Sequence, residues 1–257
     1  MWLVLGAVAA VTSLPLGDGH VSYSTPKQGW IYLCAGGPGG GGGAVGGSTP
    51  WIHGSTFDPS AKPVVAGSVT WPNARISFTK VNGHVHVVGN GLPKSTPTGV
   101  FPIQPGTTAY QYDRNPNTIV AQTINWTLPI PKPASRPSCL TGGPIGIAVN
   151  GVPIFDALDA LNRDGVAHEI QDSCGGHPQQ QGMYHYHEIT SCLPKTGLVG
   201  YALDGYPIYA GGGYTDAQLD ACHGITVKGQ YRYEATAAYP YTLGCFHGSP
   251  LKLPPPR

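Results

Sequence analysis

The sequence predicts a mainly β fold with a few short helices, in which duplicated hairpin/strand units form one pseudo-twofold, disulfide-linked domain. Three observations predict it. Gly 38 and Pro 26 of 257 residues make about a quarter of the chain, which favours turns and excludes long helices. Short β-branched and aromatic runs, such as Arg75–Val81, His84–Val88 and Gly146–Asn150, are separated by Gly, Pro and Asn. Six cysteines sit in a chain that is only 11% charged, against about 25% for an ordinary domain.

The charge count also excludes functions. A formal net charge of +1 offers no basic field for a nucleic-acid backbone and no polybasic run for an anionic membrane. No apolar stretch reaches the roughly 20 residues that span a bilayer, so no integral membrane segment is expected. Disorder is disfavoured by a 40% apolar content and 14 tyrosines.

Trp2–Ala10 is apolar and precedes the small-residue site Val11-Thr12-Ser13, so residues 1–16 read as a secretory signal peptide, although its start lacks Lys and Arg. A buried N-terminal strand is the other reading of that run. Residues 17–60 read as an N-terminal Gly-rich segment, with the run at 35–48 a linker or loop. Residues 61–250 read as the β-rich domain and 251–257 as a Pro-rich tail. Two segments look helical, Phe155–Arg163 and Thr215–Cys222. An even cysteine count without C-x-x-C reads as a secreted, extracellular or periplasmic protein. Asn125-Trp126-Thr127 is a glycosylation sequon if the host is eukaryotic.

Gly146–Phe155 (GIAVNGVPIF) aligns with Gly200–Tyr209 (GYALDGYPIY), each with an Asn-Gly or Asp-Gly hairpin turn between apolar runs. Asp172-Ser-Cys174-Gly-Gly176 then aligns with Asp220-Ala-Cys222-His-Gly224, and Tyr184-His-Tyr186-His with Tyr231-Arg-Tyr233-Glu. Six cysteines allow 15 pairings. Equivalent local bridges would be Cys174–Cys192 and Cys222–Cys245, leaving Cys34–Cys139.

Tyr184-His185-Tyr186-His187 alternates, so in a strand both histidines point to one face and both tyrosines to the other. His177, in the turn after Cys174, is the natural third imidazole. The second unit carries Ile225, Arg232 and Glu234 at the histidine positions, and Arg and Glu are not expected on a packed apolar face. The fold therefore does not need histidine there, and three converging imidazoles point to one transition metal ion, zinc or copper, with affinity alone favouring copper. Asp172 and Glu188 are candidates to orient an imidazole or serve as a base, and Tyr184 and Tyr186 to flank the site. His84 and His86 share the i, i+2 spacing and are candidates for further ligands or a second site. His223 and His247 are weaker candidates, each beside a cysteine turn. No G-x-S-x-G elbow or P-loop is present.

These residues resemble the YHYH-domain proteins. The resemblance rests on Gly89–Pro93 with Gly99–Pro102, Asn115–Ile119, Gly151–Phe155, Cys174–Pro178, Tyr184–His187, Leu203–Tyr209 and Tyr239–Phe246, and covers roughly residues 65–248. It implies an exported protein and brings no activity with it. Two functions follow from the residues: an extracellular metalloenzyme, oxidative with copper or hydrolytic with zinc, or a non-catalytic metal-binding or surface-interaction module in which the Tyr/His strands pack. An open coordination position favours the first and saturation by protein ligands the second. Substrate, small molecule or polymer, and oligomeric state are not written in these residues.

Overall fold

The computed structural model of the protein describes residues 13–34 and 49–253. The apolar start and the Gly-rich run, on which the signal-peptide and linker readings rest, lie outside the described residues. Five two-residue strands come first: β1 (Leu14–Pro15), β2 (Val21–Ser22), β3 (Ile31–Tyr32), β4 (Ile52–His53) and β5 (Thr56–Phe57). They form a β1-β5-β4 sheet and a β2-β3 pair. Ile31, Leu33, Trp51 and Phe57 from this region join the same buried cluster as the rest of the chain.

Strands β6 (Ile76–Val81) and β7 (His84–Gly89), the helix α1 (Thr108–Tyr112) and β8 (Ile124–Leu128) follow. β6, β7 and β8 make a three-stranded antiparallel sheet. Strand β9 (Pro133–Ser138) pairs later with β18 (Phe246–Gly248).

The largest sheet contains β10 (Pro144–Ala148), β11 (Pro153–Phe155), β12 (Gly176–Pro178), β13 (Tyr184–Tyr186), β14 (Gly197–Ala202), β15 (Pro207–Ala210), β16 (Gly224–Val227) and β17 (Gln230–Ala235). Its order is β12-β13-β11-β10-β14-β15-β17-β16. Read outward from the central β10–β14 pair, each half is a hairpin, then a parallel pairing (β11 with β13, β15 with β17), then an antiparallel edge strand. The two central strands approach closely because each presents a glycine: a Cβ on Gly146 would lie 2.7 Å from the Tyr201 oxygen, and one on Gly200 2.6 Å from that of Ile147. Ile145, Ile147 and Ala148 of β10 are all buried, so this strand shows an apolar run instead of alternation.

Local contacts in the two halves correspond. Gly151 and Gly205 occupy the hairpin turns with φ of 91° and 84°. The Asp172 carboxylate accepts from Cys174 N, Gly176 N and the Tyr184 hydroxyl. Asp220 does the same for Cys222 N, Gly224 N and the Tyr231 hydroxyl. The disulfides are Cys34–Cys139, Cys174–Cys192 and Cys222–Cys245.

Two helix expectations are corrected. Phe155–Arg163 is not helical: β11 runs through Phe155, and the helix is α2, Gly165–His168. The aspartates divert the segment. Asp156 Oδ1 accepts from Leu158 N, and Asp159 Oδ1 from Leu161 N and Arg163 N, which are local bonds that compete with the helical ladder. Thr215–Cys222 shrinks to one 3₁₀ turn, Asp216–Gln218, after which Asp220 caps the cysteine turn. No helix among the described residues is long and apolar enough to cross a membrane.

Cys174–Cys192 closes a loop of 18 residues in sequence separation. The double substitution Cys174→Ser with Cys192→Ser is expected to cost about 3 kcal/mol by denaturant titration. Non-reducing peptide mapping should recover all three bridges, and a free thiol at any of the six positions would contradict the pairing.

Candidate metal centre

Each imidazole of the His177, His185, His187 cluster reaches the centre from a different constraint. His177 lies on β12, fixed by the Asp172 turn and by Cys174–Cys192. His185 lies opposite it on β13, and His187 follows that strand. All three are 3% exposed. Nε2 of His187 is 3.2 Å from Nε2 of His185 and 3.3 Å from Nε2 of His177, and the donor atoms of the three all lie within 4.8 Å of one another. This is the one such cluster among the described residues. Phe155 stacks on the His185 ring at 3.9 Å between centroids and covers that side.

Two tautomers are fixed by their partners. His185 Nδ1 donates to the Met183 carbonyl (3.1 Å) and His187 Nδ1 to the Asp156 carbonyl, since a carbonyl only accepts. The Nε2 atoms of neutral rings therefore face each other as lone pairs, an arrangement that needs a proton or a cation between them. His177 Nδ1 is buried without a hydrogen-bond partner.

A carboxylate missing from the sequence reading borders two of the three imidazoles. Glu169 follows α2, is 6% exposed, and places Oε2 3.0 Å from His187 Nε2 and 3.3 Å from His177 Nε2. Burial raises its pKa, but the facing His177 and His187 more than reverse this and hold it well below the usual carboxylate value. Burial likewise pushes His187 down, and Glu169 with the Asp156 carbonyl overcomes it, raising His187 to about 9. His185, buried beside two other imidazoles, is held well below its ordinary value and stays neutral.

The other predicted residues are placed elsewhere. Asp172 braces the turn and accepts a backbone bond from Gly99, with no bond to an imidazole. Glu188 makes no hydrogen bond to the cluster; burial raises its pKa and Lys62 opposes that. The Tyr184 and Tyr186 hydroxyls bond Asp172 and Asn150, on the face away from the histidines. His84 and His86, on β7 of the separate sheet, bond the Leu128 carbonyl and the Thr127 hydroxyl, and neither joins the cluster. His223 bonds Thr236, and His247 stacks on Tyr231 at 3.7 Å. Asn125 is exposed on β8.

In the second half, an ion pair stands where the first has histidines. Arg232 lies 2.9 Å from Glu234 and 4.5 Å over the Tyr209 ring, while Gly212 N donates to Glu234 at 2.6 Å. The expectation that these charges avoid packed surroundings is corrected for Glu234, which is 1% exposed because Arg232 and a backbone amide satisfy it.

Fold and site together define a disulfide-linked β protein with a buried polyhistidine cluster. Residues 125–218, which hold all three histidines and Glu169, match the family model described as YHYH protein. The match is narrower than the resemblance over residues 65–248 and stops before β16 and β17. No curated protein and no solved structure matches the chain.

Arg232→Ala removes the partner of a buried carboxylate. It should destabilise the protein by about 3 kcal/mol, while metal content per folded molecule stays unchanged. A loss of metal in that variant would mean that the two halves are not independent.

Proposed function

We propose that this is an exported protein that binds one divalent transition metal ion, zinc or copper, through His177, His185 and His187. The observation that carries the reading is the convergence of the three buried imidazoles, with Nδ1 of His185 and of His187 held by backbone carbonyls so that Nε2 of each faces the centre. The Nε2 separations of 3.2 and 3.3 Å agree with the edge of a tetrahedron around an ion bound at about 2.0–2.1 Å, which is about 3.3–3.4 Å. Three disulfides support the export half of the proposal, because such bonds persist in oxidising compartments.

A second reading is favoured by one observation. The His187–Glu169 contact at 3.0 Å is a complete ion pair by itself, so the cluster serves packing if no metal binds. Metal analysis of untagged protein, with an EPR spectrum if copper is found, separates the readings. One ion per chain is expected, with His185→Ala losing it while the domain stays folded, since the second half builds the corresponding strand without histidine. Stoichiometric metal surviving the loss of both His185 and His187 would contradict the proposal.

The pH dependence has a definite sign. Ligation needs neutral imidazole, and the metal-free protein keeps His187 protonated up to about 9. Metal binding at pH 7.5 should therefore release about one proton, and log K should rise by about one per pH unit below that value and level off above it. Calorimetric titration in two buffers of different ionisation enthalpy measures the proton; a count of zero would contradict a protonated His187 in the metal-free protein.

A further inference from the structure

We propose that Glu169 is the fourth ligand and closes the coordination sphere, so that the protein holds its ion away from substrate instead of working with it. This rests on the three-histidine reading above and determines which of its two classes applies. Glu169 Oε2 lies 3.0 Å from His187 Nε2 and 3.3 Å from His177 Nε2. With the two imidazole spacings of 3.2 and 3.3 Å, three of these four separations come near the roughly 3.3–3.4 Å edge of a tetrahedral site, and the 3.0 Å contact is shorter. Glu169 stands outside the set of donors that all lie within 4.8 Å of one another, so ligation draws its carboxylate inward toward His185. Oε2 is buried and faces only the His177 and His187 nitrogens, so an ion that displaces a proton between them meets this atom.

The carboxylate is held in place from its backbone. Asp164 caps α2 by accepting from Val166 N and Ala167 N, and also receives Gly17 N and the Tyr241 hydroxyl. Glu169 N donates to the Gly165 carbonyl, and Lys62 Nζ donates to the carbonyls of Val166 and Glu169. Gly165 packs directly on the centre: a Cβ there would stand 3.1 Å from Glu169 Oε2 and 3.3 Å from His187 Cγ. The three imidazoles and Glu169 are each no more than 6% exposed, which leaves little room for water or substrate at the ion. Sites saturated by four protein ligands are those that hold a metal, whereas catalytic sites keep a position open. A carboxylate oxygen is also a hard donor, so this set suits a divalent ion over copper(I) or silver(I).

The test uses cobalt(II) as the spectroscopic probe in the full-length protein. Wild type should show the intense visible bands of a four-coordinate ion, unchanged by added azide. Glu169→Gln should shift those bands, become azide-sensitive, and weaken zinc binding on the order of 100-fold or more. An azide-sensitive wild-type spectrum, or a variant identical to wild type in spectrum and affinity, overturns the fourth-ligand assignment while leaving three-histidine binding intact. Failure of wild type to bind cobalt or zinc overturns both. The azide measurement on wild type decides the question even if the variant does not fold.

Discussion

The burial of three imidazoles and one carboxylate at a single point is the constraint around which this half of the sheet is arranged. Ionisable groups this far from water are costly unless charge and hydrogen bonds are matched. The protein meets that cost locally: the Met183 and Asp156 carbonyls fix two rings, and Glu169 faces the His177 and His187 nitrogens at 3.0–3.3 Å. The Asp172 turn, the Cys174–Cys192 bridge and the capped helix α2 are the devices that bring these groups together.

The second half of the sheet carries no histidine at the positions that align with the cluster. Its turn is braced by Asp220 and Cys222–Cys245, and its strands pair in the same pattern. At the matching positions Arg232 and Glu234 neutralise each other beneath Tyr209 and Tyr214. The sheet thus carries an Arg–Glu ion pair on one side and a cluster of three converging imidazoles on the other. That contrast is the strongest reason to assign chemistry to the first half alone.

Much of this was legible in the residues because it depends on local pattern. Asn150-Gly151 and Asp204-Gly205 mark hairpins through the backbone freedom of glycine, and the alternation of Tyr184 to His187 sets which side chains share a face. The repeated cysteine turn pointed to the observed bridges. Glu169 was not legible, and Glu188 and Asp172 were preferred because they are nearer the histidines in sequence. Glu169 reaches the site through Asp164, whose partners Gly17 and Tyr241 lie 147 and 77 residues away, and no periodicity encodes such contacts. The helix expected over Phe155–Arg163 failed for a related reason, since aspartate side chains bonding their own backbone overrode an apolar spacing that looked helical.

The central claim is that one ion sits between the three histidines, and anomalous diffraction from crystals of zinc-loaded protein tests it most directly. The account predicts a single strong peak at the zinc edge within about 2.0–2.1 Å of the Nε2 atoms of His177, His185 and His187. A peak at His84 and His86 instead, or none at the cluster in crystals shown to contain zinc, would contradict it.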